Sequence, residues 1–189
     1  MRLCLIRHFP PAVTPGVCYG HTDLPLKTPV HGDPARVDGL REQLAQQTMI
    51  NAPVFSSPLQ RCRDLASVLS PDYIEDARLR ELNFGDWEMQ AWDAIGPTAL
   101  DAWAANIAGF RPPGGETGHE LQQRVLAWLR EISDRHHHAI VVTHAGVIRA
   151  LQAHHQRLSG TNWLKLRYDY GELLYLDFTL EQIQAAPVQ

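Results

Sequence analysis

Cysteine is scarce in this chain: Cys4, Cys18 and Cys62 are the only three in 189 residues, an odd set with no CxxC spacing. That argues against a disulfide-framed scaffold and a thiolate metal site, and it points to reduced thiols in the cytoplasm. Long apolar runs are missing too. No stretch approaches the roughly 18 unbroken apolar residues of a membrane span. The N-terminus turns polar at Arg7-His8, too soon for a secretory apolar region of about 7 to 15 residues. Positive charge is not in excess, since 17 Lys and Arg face 21 Asp and Glu for a formal net charge of -4. Nucleic acid and anionic membrane are therefore not expected partners, and any anion site has to be built locally. Repeats and low-complexity tracts are absent. The nearest thing is His136-His137-His138, which, with His154-His155, is read as solvated helix ends. Consecutive histidines rarely share tetrahedral geometry and no HExxH accompanies them, so neither metal nor cofactor is expected.

What is present is an alternation of short apolar runs and helical patterns. The chain fits one domain over 1–189. Leu3 to Ile6 reads as a buried strand, stopped soon after by Phe9-Pro10-Pro11. A Pro- and Gly-rich loop follows to Pro34, then a helix over 35–47 and a strand over 53–57. Ser57 is the expected N-cap of a helix beginning at Pro58, with Leu59, Cys62, Leu65, Ala66 and Leu69 on one stripe. Trp92, Ile95, Trp103, Ile107 and Phe110, broken by Gly96-Pro97, predict a small helical insertion or lid over about 90–112, its aromatics serving mainly for packing. Thr117-Gly118-His119-Glu120 is a capping box that opens another helix. Ala139 to Thr143 is a strand buried on both faces, with a helix from Ala145 through Ala153, and 173–178 makes a final strand. This order predicts a three-layer α/β fold, a mostly parallel central sheet with helices on both faces.

Three of these strands end in polar residues: Arg7-His8, then Ser57 with Arg61 one turn on, then His144 after Thr143. In open α/β sheets ligands collect at the carboxyl ends of the strands, so two arginines and two histidines are placed to share one crevice. Guanidinium forks match phosphate oxygens, and helix N-termini at Pro58 and Ala145 add backbone donors. A phosphoryl group is the natural guest.

The blocks that carry this chemistry resemble those of the histidine phosphatase superfamily, which includes phosphoglycerate mutases and α-ribazole phosphatases. The resemblance lies in Leu5-Ile6-Arg7-His8, in Tyr19 to Leu26, in Ser56-Ser57-Pro58-Leu59-Gln60-Arg61-Cys62, in Leu79 to Glu88, and in Thr143-His144-Ala145-Gly146-Val147-Ile148-Arg149. Five blocks in order over residues 3–149 make it specific. The resemblance implies a phosphoglycerate mutase-like fold and a metal-independent phosphomonoesterase that forms a phosphohistidine on a small metabolite. It makes His8 the nucleophile, Glu81 the proton donor and then base, and Arg7, Arg61 and His144 the phosphate pocket, with Ala145 at a helix N-terminus and Tyr19 and Gly20 flanking the substrate. An imidazole titrates near 6.5, and the neighbouring arginines are expected to lower His8 so that it stays neutral.

Phe9-Pro10-Pro11 stands where the family has Gly, an acidic residue and Thr or Ser before a phosphate-touching Asn; Thr14 or a backbone amide is expected to replace that contact. Met89 likewise replaces a Gly that often follows the Trp-Glu pair. Glu88 and Glu116 compete with Glu81 for the proton-transfer role. Cys62 is read as a core thiol, since no cysteine begins a Cys-x5-Arg signature. The preferred substrate is α-ribazole 5′-phosphate, by resemblance of Phe84 to Glu88 and of Pro112 to Glu116. The alternatives are a phosphoglycerate mutase-type phosphomutase and a phospho-ligand-binding module without turnover, as monomer or homodimer.

Overall fold

Side-chain alternation along one strand sorts the core into two layers. In β1 (Arg2–Arg7), Leu3 and Leu5 join one apolar cluster while Cys4 and Ile6 join another, as period-two geometry requires of a strand covered on both faces. β4 (His138–Thr143) repeats the division, with Ala139 and Val141 on the first side and Ile140 and Val142 on the second. The first layer is covered by α5 (Gly118–Ser133) and α6 (Ala145–Gln156) through Val125, Leu129, Val147 and Leu151. The second is covered by α1 (Pro34–Gln46) and α2 (Gln60–Leu69) through Val37, Leu40, Leu44 and Leu65. Each such side chain taken from water contributes about 1.5–3 kcal/mol. The computed structural model describes residues 1–187; positions 188 and 189 of the expected span lie outside the described residues.

The sheet has five strands in the order β3-β2-β4-β1-β5, with β2 at Val54–Ser56, β3 at Ile74–Glu75 and β5 at Leu173–Asp177. All neighbours run parallel except β5, which pairs antiparallel with β1 at the edge. Arg7 pairs with Thr143 and Ser56 with Val142, so the carboxyl ends of β1, β4 and β2 finish level. His8, His144 and Ser57 therefore leave the sheet side by side.

Two expectations need correction. α2 begins at Gln60, not Pro58, and its N-cap is Leu59, which contributes no side-chain bond. The Ser57 hydroxyl instead accepts the Leu59 N–H at 3.3 Å and sits 2.8 Å from Nε2 of His144, while Asp23 takes the Gln60 N–H at 2.6 Å. The serine is drawn into a polar cluster, and a carboxylate from a distant loop caps the helix in its place. His136 and His154 are also no solvated helix ends: the His136 ring packs edge-on against buried Phe55 at 5.7 Å, and buried His154 has its Nε2 2.6 Å from the Gln182 carbonyl oxygen. β3, two exposed residues long, has no periodicity to detect. The short α7 (Leu180–Gln184), not expected from the sequence pattern, opens with a capping box from Thr179 to Gln182.

The capping box at Thr117 forms as expected: its hydroxyl accepts the Glu120 N–H at 3.1 Å while Glu120 accepts the Thr117 N–H at 2.8 Å. In the 90–112 segment, α3 (Trp92–Ile95) and α4 (Pro97–Ala105) are separated by Gly96 at φ +92°, a conformation that favours glycine. Trp92 and Trp103 stack at 5.8 Å, and Phe84 meets both rings edge-on. No helix among the described residues is long and apolar enough to cross a membrane.

Candidate active site

His8 follows β1 directly, its N–H donating to the Thr143 carbonyl at 3.0 Å. Its Nδ1 lies 2.6 Å from the Phe9 carbonyl oxygen. A carbonyl can only accept, so Nδ1 carries the ring proton and Nε2 keeps its lone pair. The other side of the ring agrees, since Nε of Arg61 donates to Nε2 of His8 at 3.3 Å. The His144 ring stands edge-on to His8 with centroids 5.1 Å apart, and the two imidazoles occupy one crevice.

Both rings are buried and both are held well below the usual 6.5. Burial is the leading cause in each and the Arg61 charge the second. For His8 the Phe9 carbonyl pulls the other way and Arg7 contributes least. The sequence expectation that the neighbouring arginines lower His8 holds in direction but not in leading cause: removal from water outweighs the arginine pair. Cys62 packs its sulfur 3.5 Å from Nε2 of His144, and burial pushes this thiol up, consistent with a core role.

Arg61 is itself fully buried, and its two terminal nitrogens donate to the carbonyls of Thr22 at 2.9 Å and Gly20 at 2.7 Å. Gly20 is a glycine for a reason of space: a Cβ there would fall 1.9 Å from the Leu82 carbonyl oxygen. Arg7 donates to the Tyr168 carbonyl at 2.7 Å and lies 3.8 Å from the centroid of the Tyr170 ring. The hydroxyl of Tyr170 meets that of Tyr19 at 2.7 Å, so two tyrosines flank the two arginines.

Glu81 points both carboxylate oxygens at backbone donors, the Leu82 N–H at 2.9 Å and the Gly146 N–H of the first turn of α6 at 3.1 Å. Arg124 fixes its backbone, donating to the carbonyls of Arg78, Arg80 and Glu81. The competing acids are committed elsewhere. Glu116 is paired with Arg124 at 2.5 Å. Glu88 accepts from the backbone of His21, Thr22 and Phe84 and from the Thr22 hydroxyl; burial raises its carboxyl, but these bonds, led by Thr22, leave it below its ordinary value.

A cavity of about 200 Å³ opens onto this cluster. Arg7, His8, Tyr19, Glu81 and Ala145 line it, with Phe84, Trp92, Trp103, Ile107 and Trp163 forming an apolar wall. Arg61, Gly20 and His144 lie buried beside it. Thr14 does not join them: it is exposed in a turn and does not line the cavity, so the structure gives no support to its replacing the missing Asn. No group of three or more His, Cys, Asp or Glu among the described residues is arranged to hold a metal ion.

A profile of the histidine phosphatase superfamily (branch 1) matches residues 3–187. The chain belongs to that superfamily. It is 32% identical over 167 residues to the adenosylcobalamin/α-ribazole phosphatase of Escherichia coli (strain K12), covering 81% of this chain and 78% of that one. It is 32% identical over 143 residues to phosphoglycerate mutase-like protein 4 of Arabidopsis thaliana, covering 70% of this chain but only 60% of the plant protein. The solved structure of mycobacterial glucosyl-3-phosphoglycerate phosphatase in complex with VO3 superposes with a TM-score of 0.79 at 26% identity, covering 93% of this chain and 92% of that one.

For this member of the histidine phosphatase superfamily, the sequence assigns no role to several residues at the site. Tyr170 lies in a loop before β5 with no periodic signal. Arg124 and Arg149 sit inside helices, where an arginine usually reads as a solvated face. Trp163 belongs to a 3-10 segment, Gly160–Lys165, that no pattern announces.

Proposed function

We propose that this chain hydrolyses a phosphate monoester of a small metabolite, without a metal ion, through a phosphohistidine at Nε2 of His8. The observation that carries the reading is the tautomer of His8. Its proton is held at Nδ1 by the Phe9 carbonyl, which leaves the Nε2 lone pair facing the Arg61 guanidinium. In the first step that lone pair attacks phosphorus and the ester P–O bond breaks. The electron pair leaves on the alkoxide, which takes a proton from protonated Glu81. In the second, Glu81 as carboxylate removes a proton from water, the water oxygen bonds to phosphorus, and the N–P electron pair returns to Nε2. Charge that grows on the phosphoryl oxygens meets Arg7, Arg61, His144 and the backbone at Ala145, donors set in place before reaction.

The finer substrate proposal is α-ribazole 5′-phosphate, supported by the likeness to the E. coli phosphatase and by aromatic cavity walls that suit a flat ring. Three buried, unpaired thiols support a reducing compartment such as the cytoplasm. The test is release of phosphate from α-ribazole 5′-phosphate, 3-phosphoglycerate and an aryl phosphate, with and without chelator, for wild type and His8→Ala. Chelator-insensitive release that His8→Ala abolishes supports the proposal. Equal rates in the two proteins defeat it, and conversion of 3-phosphoglycerate to its isomer without release of phosphate would assign the chain to the mutases.

A further inference from the structure

We propose that Arg149 forms a second anion subsite in the same cavity and selects phosphate esters whose alcohol portion carries a carboxylate. The inference rests on the phosphomonoesterase reading above and not on the α-ribazole 5′-phosphate proposal, since that ester has no carboxylate and the subsite, if found, displaces it as the preferred substrate. α6 sets Arg149 one turn beyond Ala145, on the same helix face, and both residues line the cavity with His8 and Glu81. The side chain is anchored from behind, its Nε donating to the Leu166 carbonyl at 2.9 Å. Its terminal nitrogens have no partner among the described residues. Glu81, the carboxylate in the same cavity, is already held by the amides of Leu82 and Gly146. Burial pushes the guanidinium down from its usual range, with the Glu81 charge pulling it back.

A half-buried cation with no carboxylate in direct contact, compensated only by the Glu81 charge at longer range, keeps part of its desolvation cost in the empty protein, and an anionic ligand would lower it. Trp92, Trp103, Ile107 and Trp163 make part of the cavity wall apolar, and a less polar surrounding strengthens an ion pair formed beside it. The phosphoryl group itself is met by the arginines nearer His8, Arg61 against its Nε2 and Arg7 against Tyr170 beside it. Arg149 is thus free to read the other end of the molecule. A guanidinium fork fits a carboxylate better than it fits a hydroxyl, so the discrimination is by charge as well as shape.

Phenyl phosphate and 3-carboxyphenyl phosphate differ in the carboxylate and little else. Wild type is expected to favour the carboxylated ester in kcat/KM by about tenfold or more, mostly through KM, since one lost charged hydrogen-bond contact is worth about that factor. Arg149→Gln is expected to bring the ratio close to one, and Arg149→Lys to keep part of it. A ratio does not depend on the fraction of protein folded, so a destabilised variant still reports. The inference is overturned if wild type treats the two esters alike, or if Arg149→Gln slows both by one factor and leaves the preference intact. If wild type and His8→Ala alike release no phosphate from either ester, the hydrolase reading fails and takes this inference with it; with turnover present, only the subsite is at stake.

Discussion

Nε of Arg61 stands 3.3 Å from Nε2 of His8, so the guanidinium faces the one ring nitrogen that has a lone pair to give. The same side chain spans to the carbonyls of Gly20 and Thr22, tying the loop after β1 to the base of the site. Lysine can reproduce the charge but not three contacts in one plane. Arg61→Lys is expected to lower kcat/KM by about 10²-fold or more, a loss of the size seen when a preorganised donor is removed. Steady-state kinetics on an aryl phosphate, with circular dichroism to confirm folding, checks it; a loss under twofold would show that the fork is dispensable.

Stability should depend on pH through His8 and His144. Both are held below 6.5 in the fold, by burial first and by Arg61 second, so the unfolded chain binds more protons than the native one as pH drops below that value. Their contribution is complete above about pH 6.5 and is lost as pH falls toward the folded-state values, with a limiting slope of about 2.7 kcal/mol per pH unit for two groups. His21 and His154, also lowered mainly by burial, act with the same sign. Urea midpoints should be level between about pH 8 and 7 and fall steeply near pH 5.5. Equal midpoints at the two ends would contradict the burial of neutral imidazoles.

Glu81→Gln separates proton transfer from positioning. The amide keeps the shape but has no proton to give to a departing alkoxide, so esters with poor leaving groups should suffer most. We expect kcat/KM to fall by about 10²- to 10⁴-fold for an alkyl phosphate and by much less for 4-nitrophenyl phosphate, whose phenolate leaves without help. A uniform fall for both esters would remove Glu81 from the protonation step.

Gly146 tests the same residue from the other side. A Cβ at this position would lie 2.0 Å from Oε1 of Glu81, so Gly146→Ala must push the carboxylate out of place. A displacement of about 1 Å at a reacting group costs about 10² in rate, and activity should drop by that order with the fold retained. Gly39→Ala is the contrasting case: the site is open, inside α1, and the change should stabilise by about 0.5–1 kcal/mol. Thermal melts and kinetics on the two variants check both statements.

Much of this was legible in the sequence because β1, β2 and β4 are short apolar runs that stop at polar residues, and parallel pairing then brings those stops together. Arg7, His8, Arg61 and His144 converge for that reason alone. The rest depends on long-range packing. Ser57 reads as a helix cap and is a partner of His144; its hydroxyl could serve either role, and only the neighbouring strand decides. Tyr170 is a loop residue until β5 folds back antiparallel and lays its ring on Arg7. Thr14 is a polar residue in the altered loop after His8, but only the folded loop shows that it is exposed and away from the cavity.

The phosphohistidine itself is the most direct test. Wild type mixed with ³²P-labelled substrate and quenched in alkali within milliseconds should carry label that survives base and is lost in mild acid, mapping to His8 and absent from His8→Ala. Label that resists acid, maps to another residue, or appears equally in the variant would contradict the account.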